Sequence, residues 1–304
     1  MLHDRERIQA DLRGLLQGEV HCNDVFVQMY ASDASIYEIR PLGVVRPKNN
    51  RDVIAVVQYA NENQIPLHAR GAGTGLAGES LGPGLILDFA HSMRRIVWEG
   101  EETIRVQPGV VLGKLNQRLS AVDRCFGPDP ANRSVTTIGS VLAIDAGGSH
   151  WAQYGSARHH VEKIRIVLAN GQEVELGQYD LPFQGGFGTE IDRLSLATAQ
   201  LISNNQQLIQ TYKPKSLVNR CGYRLDDVMG NNRLDMAKLM IGTEGTLGII
   251  TEATIRTSRL PKHSGLILLA CERLENAANA AQLIRKHDVA ACDLMDRRLL
   301  QLAC

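Results

Sequence analysis

The sequence predicts an α+β fold. A helical apolar pattern over 50–63 leads into a strand at 65–69, and a β-hairpin is predicted over 162–176. After Pro261 the pattern starts again as a strand, a helix and a second strand, which indicates the beginning of a further unit. The length of 304 residues agrees with two domains or one large one.

The helices are predicted from apolar residues that recur at intervals of three and four. In the clearest case Val53, Val56, Val57 and Ala60 keep this spacing, and Asn50 can cap the first turn. The same pattern predicts further helices over 4–17, around Leu112, Leu115 and Leu119, over 190–205 and over 274–287.

The strands are predicted from short apolar runs and from alternation. In the hairpin, Ile164, Ile166 and Leu168 alternate, and Asn170-Gly171 predicts a type I′ turn. Further strands are predicted over 65–69, 85–89, around Ile104 and Val106, over 248–256, 265–270 and 289–295.

Composition and charge exclude several classes of protein. The 33 basic and 33 acidic side chains give a formal net charge of zero, which argues against a nucleic-acid partner. No apolar run approaches the ~18–20 residues that a membrane helix needs. The N-terminal charges do not fit a secretory signal, so we expect a cytoplasmic chain. The six cysteines form no C-x-x-C, and we expect no metal site.

Two short motifs in the first glycine-rich segment lack the context that they need. Residues 73–78 satisfy G-x-G-x-x-G, and Ser80 lies within a G-x-S-x-G sequence. A dinucleotide turn and a hydrolase nucleophile elbow both require a helix directly afterwards. Gly82-Pro83-Gly84 breaks any such helix. An α/β hydrolase that uses Ser80 remains as an alternative from a different class.

Glycine clusters instead predict a site built from the backbone. In Arg70-Gly71-Ala72-Gly73-Thr74-Gly75, successive N–H groups can converge on an anion beside a permanent cation, which suits a diphosphate. A tight turn is the alternative for this segment alone. Further clusters occur at 128–155 and 242–250. Three separated loops of this kind favour an extended dinucleotide such as FAD.

The three segments resemble the FAD-binding domain of the vanillyl-alcohol oxidase and p-cresol methylhydroxylase superfamily. The similarity covers about residues 35–300, and its motifs are ARGAGTGLAG, PDPANRSVTTIGSVLAIDAGGSHWAQYG and MIGTEGTLGIITEATI. Within the superfamily the chain resembles the FAD-linked branch that contains D-lactate dehydrogenase and the glycolate oxidase flavin subunit. The resemblance implies a two-lobed PCMH-type domain over 35–260, with lobes about 35–95 and 96–260. It further implies an N-terminal helical segment over 1–34 and the start of a truncated α/β cap domain over 261–304.

The resemblance also implies which residues bind the cofactor. In the first motif they are Arg70, Gly71, Ala72, Gly73, Thr74, Gly75 and Leu76. In the second they are Pro128, Asp129, Thr137, Gly139, Ser140, Ala146, Gly147, Gly148, Tyr154 and Gly155. In the third they are Glu244, Gly245 and Ile250.

Two departures from the family pattern bear on the cofactor. Some relatives carry the flavin covalently on a histidine of the first loop, where this chain has Thr74, so FAD is expected to be noncovalent. The family usually has an asparagine where this chain has Asp145, which introduces a charge in the flavin region.

The implied reaction is oxidation of a 2-hydroxy acid, D-lactate- or glycolate-like, by hydride transfer to flavin N5. The catalytic base is expected in the cap or beyond it, so no catalytic residue is assigned. The resemblance further implies an electron-transfer partner or a fused C-terminal iron–sulfur domain, with the chain as an N-terminal piece. Alternatives are a noncatalytic FAD-binding subunit or fragment and a UDP-N-acetylenolpyruvylglucosamine reductase-like enzyme.

Overall fold

The computed structural model of the chain describes residues 2–181, 188–216 and 218–303. The helices are α1 Leu2–Leu15, α2 Asp24–Met29, α3 Asn50–Glu62, α4 Leu112–Ser120, α5 Ile138–Ala143, α6 Trp151–Tyr154, α7 Glu190–Asn204, α8 Gln206–Tyr212, α9 Met236–Met240, α10 Leu274–Ile284 and α11 Arg297–Ala303. The strands are β1 Glu19–His21, β2 Gly43–Arg46, β3 Leu67–Arg70, β4 Leu85–Asp88, β5 Ile96–Trp98, β6 Thr103–Val106, β7 Arg124–Cys125, β8 Val161–Val167, β9 Glu173–Leu176, β10 Gln178–Asp180, β11 Met229–Gly230, β12 Arg233–Asp235, β13 Ile249–Arg256 and β14 Ser258–Arg259. The mixture of helices and strands confirms the predicted α+β class.

The first large sheet has the strand order β1-β2-β4-β3. Strand β4 is parallel to both β2 and β3, and all four of its residues are buried. This agrees with its continuous apolar run, because a parallel strand covered on both faces needs no polar side. The hydrophobic core that packs against this sheet includes residues of α1 and α3, among them Leu12 and Val56.

Helix α3 confirms the predicted helix, although its cap is one residue earlier than expected. Asn49, and not Asn50, accepts a hydrogen bond from the backbone of Asp52. The backbone of Asn49 is still extended, with φ −157°, which is the conformation of a residue that caps a helix.

The N-terminal segment, predicted as helical, also carries a strand. Strand β1 pairs antiparallel with β2 in the register Glu19↔Arg46, and Val20 is buried. Residues before 35 therefore contribute an edge strand to the first sheet.

The second large sheet has the order β5-β6-β13-β8-β9 and is antiparallel at every pairing. Its core includes residues of α4 and α5. The two cores meet near α3, because Val167 of β8 and Ile249 of β13 belong to the same buried cluster as Val53. The side chain of Asn50 also donates to Glu173 at 2.7 Å.

The predicted hairpin is confirmed as β8 and β9, but its turn differs from the prediction. Val167 pairs with Glu173, and the N–H of Gly171 donates to the carbonyl of Leu168 at 2.8 Å. Gly171 has φ +81°, whereas Asn170 is not left-handed. A type I′ turn needs both central residues left-handed, so the longer loop, in which one glycine is left-handed, replaces it.

Beyond Pro261 only the helical part of the predicted β-α-β pattern forms. Helix α10 lies within the predicted span, but residues 265–270 and 289–295 contain no strand. Leu266 and Leu268 are 90% and 86% exposed. A strand exists only through its hydrogen-bonded neighbour, and these segments have no such partner within the described ranges.

No helix in the part of the chain that the structure describes is long and apolar enough to cross a membrane.

His68 generates a prediction about stability and pH. Its Nε2 is buried without a hydrogen-bond partner among the described residues, and burial lowers the pKa of His68. The unfolded chain therefore takes up a proton at a higher pH than the folded chain does, so acidification favours unfolding. We expect His68 to reduce the free energy of unfolding as pH falls below about 6.5, by at most roughly 1.4 kcal/mol per pH unit.

Urea unfolding at several pH values checks this expectation. His68→Phe keeps a planar ring and should flatten the pH dependence, whereas substitution of the exposed His263 by Gln should leave it unchanged. Equal pH slopes in the wild-type chain and His68→Phe would contradict the assignment.

Candidate functional site

The first glycine-rich loop leaves the end of β3 with one left-handed residue. Gly73 has φ +66°, whereas Ala72 has an ordinary backbone conformation. A Cβ on Gly73 would collide with the guanidinium of Arg70. Position 73 therefore requires glycine for both its backbone conformation and its lack of a side chain.

Arg70 places a partly buried cation at this loop. Its Nη2 donates to the carbonyl of Ser32 at 2.9 Å, and its guanidinium lies 5.2 Å from the ring centroid of Tyr30. Its Nη1 is buried and has no hydrogen-bond partner among the described residues. Burial lowers the pKa of Arg70, but an arginine starts from a value so high that it stays charged.

The first loop packs directly against the start of α5. A Cβ on Gly71 would collide with the hydroxyl oxygens of both Thr137 and Ser140. The side-chain amide of Asn132 donates to the hydroxyl of Thr74 at 2.8 Å. Only a glycine at position 71 permits this approach, and it brings two hydroxyl groups to the loop.

Gly139 permits a second close approach. Its N–H donates to the carbonyl of Pro108 at 2.9 Å, and a Cβ would lie 2.7 Å from the Cβ of Pro108. This glycine therefore fixes α5 against the end of the second sheet.

The third loop docks onto the opposite end of α5. The N–H groups of Gly242 and Glu244 donate to the carbonyls of Leu142 and Ala143, at 3.0 and 2.9 Å. These carbonyls lie in the last turn of a helix, where they have no partner inside the helix. The third loop is thus held by capping α5.

A buried ion pair fixes the same junction. Asp145 and Arg158 are both fully buried, and Nε of Arg158 donates to Oδ2 of Asp145 at 2.6 Å. Arg158 also donates to Asp227 and to the carbonyl of Ile241, at 3.2 and 2.9 Å. The charge that Asp145 introduces is therefore paired inside the protein.

Two carboxylates lie in the cleft that these loops enclose. Glu79 and Glu244 both line it, and partial burial together with the charge of Glu79 raises the pKa of Glu244. No described residue donates a hydrogen bond to the Glu244 carboxylate, whose own backbone has φ +54°. The carboxylate therefore makes no local turn contact and remains available to a ligand.

The cleft brings together residues of all three predicted segments. Those that line it are Arg70, Gly71, Gly73, Thr74, Gly75, Thr137, Gly139, Ser140, Glu244, Gly245 and Ile250. The predicted residues outside its lining are Ala72, Leu76, Pro128, Asp129, Ala146, Gly147, Gly148, Tyr154 and Gly155.

Several of the residues outside the lining form a unit of their own. Asp129 accepts from the backbone of His150 and lies 2.5 Å from its Nδ1. A Cβ on Gly148 would collide with Asp129, and Gly155 has φ +72°. These glycines allow a tight chain path, and a role in cofactor binding stays a prediction for them.

Other lining residues were not predicted as binding residues: Ala69, Glu79, Ser80, Phe89, Pro108, Asn132, Thr136, Ala143, Ile144 and Gly248. Asn132 lies within the second motif, so its position could have been noticed.

Ser80 donates to Asp33 at 3.0 Å, and no helix follows it before β4 in the described chain. The structure therefore lacks the strand-to-helix elbow that a hydrolase serine needs. The same missing helix excludes a Rossmann-type dinucleotide turn at residues 73–78.

The cleft combines glycine-rich loops with one cationic side chain, Arg70, an arrangement that suits a protein with an elongated anionic ligand. Residues 41–177 match the family described as FAD binding domain. This match includes the first two motifs and agrees with the predicted FAD-binding domain, whereas the third motif lies beyond residue 177.

Curated relatives agree with this assignment. The chain is 30% identical over 285 residues to D-2-hydroxyglutarate dehydrogenase from Escherichia coli (strain K12), covering 90% of this chain and 28% of that protein. It is 28% identical to D-lactate dehydrogenase from Anaerostipes hadrus, covering 88% of this chain and 48% of that protein. The chain thus spans less than half the length of these relatives.

The fold has solved counterparts. A structure of alkyldihydroxyacetonephosphate synthase matches with a TM-score of 0.59 and 18% identity, over 85% of this chain and 41% of that one. This likeness shows the fold.

The family assignment indicates that the chain binds FAD, and the residues of the first loop fit the anionic centre of that cofactor. Nη1 of Arg70 is buried and has no hydrogen-bond partner among the described residues. A Cβ at Gly71 or Gly73 would collide with neighbouring side chains, so glycine is required at both positions. Phosphate oxygens require such donors in a partly buried place.

Gly73→Val tests the first loop. The side chain would meet the Arg70 guanidinium, and a β-branched residue is strained at φ +66°. We expect a folded protein that has lost FAD, since the strain of roughly 1–3 kcal/mol is small enough to tolerate. Flavin absorbance per mole of purified protein measures the loss. Ser80→Ala serves as the control and should keep FAD, and a full flavin content in Gly73→Val would place the diphosphate elsewhere.

Arg158→Met tests the buried ion pair. The substitution leaves Asp145 buried without its cation, which costs roughly 3–5 kcal/mol of unfolding free energy. Adding Asp145→Asn removes the isolated charge and, because asparagine tolerates φ +51°, should restore part of the stability. Urea unfolding of the single and double variants measures both effects. A double variant less stable than Arg158→Met would contradict this account.

Proposed function

We propose that the chain is the FAD-binding part of a flavoprotein that oxidises a D-2-hydroxy acid. The observation that carries the proposal is the cleft. It is lined by the loop with the left-handed Gly73, by the partly buried Arg70 and by residues of α5. The names of the relatives support the substrate class, since they act on D-2-hydroxyglutarate and D-lactate. We propose residues 35–260 as the FAD-binding domain, with a cap beginning at about 261.

In the proposed complex, different groups of the chain bind different parts of FAD. Arg70 and the N–H groups of residues 71–75 hold the diphosphate, and the hydroxyls of Thr137 and Ser140 lie beside them. When bound, FAD supplies the acceptor for a hydride from the alcohol carbon. Glu244 offers a carboxylate to ribose hydroxyls, because no described residue uses it.

We propose that FAD is held noncovalently. Thr74 stands where some relatives carry a linking histidine, and its hydroxyl accepts from Asn132. A threonine in this contact offers no nucleophilic nitrogen to the flavin. The cytoplasmic location and the electron-transfer partner or fused iron–sulfur domain stay predictions.

Acid precipitation of the purified chain tests the cofactor assignment. We expect all flavin in the supernatant, because nothing at position 74 can retain it covalently. Flavin that stays on the washed pellet would contradict noncovalent binding.

Anaerobic bleaching of the bound flavin then tests the reaction. Long incubation of stoichiometric enzyme with D-2-hydroxyglutarate, D-lactate or glycolate detects even a slow reduction, and L-lactate is the matched control. Bleaching by NADPH instead would favour the reductase-like alternative, and bound FAD that no hydroxy acid bleaches would favour a noncatalytic subunit.

A further inference from the structure

The segment 30–34 lies outside the family match of residues 41–177 but touches the first loop. The carbonyl of Ser32 accepts from Arg70, and the N–H of Ala34 donates to the carbonyl of Gly73 at 3.0 Å. The N-terminal segment therefore contacts both Arg70, at the end of β3, and the left-handed Gly73 in the loop.

Tyr30 provides the surface beneath Arg70. The guanidinium carbon lies 5.2 Å from the centroid of the Tyr30 ring, a distance at which a cation is attracted by the π-face of an aromatic ring. With one face on the ring and Nη2 on the Ser32 carbonyl, the guanidinium has a fixed orientation. Its Nη1 is buried and has no hydrogen-bond partner among the described residues.

The hydroxyl end of Tyr30 is fixed as well. It donates to Oδ2 of Asp88 at 2.6 Å and accepts from Nη2 of Arg46 at 3.0 Å. Burial raises the pKa of Tyr30, which keeps the phenol protonated and able to donate. Asp88 is the register partner of Arg70 across β3 and β4, so the ring is anchored to the same strands that carry the cation.

We propose that Tyr30 is a positioning residue for the cofactor diphosphate, because its ring holds the Arg70 guanidinium at the cleft that the glycine-rich loop lines. This inference rests on the proposed FAD site and assigns part of that site to the N-terminal segment. The ring contacts Arg70, whereas the hydroxyl joins Asp88 and Arg46 and contributes to the stability of the first sheet.

Titration of FAD into apoprotein of the full chain tests the proposal with three variants. Tyr30→Leu removes the ring and should raise the Kd for FAD roughly 2- to 30-fold. Tyr30→Phe keeps the ring but leaves Asp88 and Arg46 without the hydroxyl, so it should lower the melting temperature while the Kd stays within about twofold. Tyr59→Leu is the matched control, because Tyr59 bonds Asp11, does not line the cleft and should not alter the Kd.

A double-mutant cycle separates positioning from general damage. If Tyr30 acts through Arg70, Tyr30→Leu should have no further effect on the Kd in an Arg70→Ala background. A fluorinated phenylalanine at position 30 keeps the shape of the ring but weakens its π-face. It should weaken FAD binding even if Tyr30→Leu fails to fold.

The outcomes distinguish this proposal from the proposed function. An unchanged Kd in Tyr30→Leu would overturn the role of Tyr30 alone. The same holds if Tyr30→Leu raises the Kd equally in the wild-type and the Arg70→Ala backgrounds. A wild-type chain that binds no FAD overturns the proposed function and this inference together.

Discussion

The cleft depends on one buried ion pair. Arg158 and Asp145 have no access to water, and two charges in such a place are tolerable only if they are paired and their remaining donors are used. Arg158 meets this condition by donating to the Ile241 carbonyl and to Asp227 as well. The pair thereby joins the end of α5 to the chain that enters the third loop. The ion pair therefore helps to hold Gly242 and Glu244 in place at the end of α5, where their N–H groups cap the helix.

The candidate site is lined by glycine-rich loops, which explains why glycine spacing was informative. At Gly71 and Gly73 a side chain is excluded by neighbouring groups, and at Gly73 by the backbone conformation too. In the proposed complex, backbone N–H groups and Arg70 are the donors to the diphosphate. The acidic Glu79 and Glu244 at the same cleft set a limit on its affinity for anions, and Arg70 is the cation that offsets them.

Local patterns in the sequence predicted the local elements. Helix α3, the hairpin of β8 and β9, and the three loops follow from spacing and glycine content. The prediction of strands at 265–270 and 289–295 was wrong, because a short apolar run does not guarantee a hydrogen-bonded neighbouring strand. The turn at Asn170-Gly171 was wrong because register fixed a longer loop. Gly148 and Gly155 could not be separated from the cofactor residues by sequence, since a tight chain path and a ligand contact both require glycine.

The orientation of Arg70 shows what local patterns cannot contain. Nothing near position 70 indicates that an aromatic ring some forty residues earlier lies beneath its guanidinium, because that contact arises only when β1, β2, β4 and β3 align. Ordering a flexible arginine side chain costs conformational entropy. Because the Tyr30 ring and the Ser32 carbonyl hold Arg70 in the folded protein, this entropy is lost on folding and not on binding. An anion that arrives later meets a fixed donor and loses less affinity to ordering. The N-terminal segment is therefore part of the site in the energetic sense, although it lies outside the residues that identify the family.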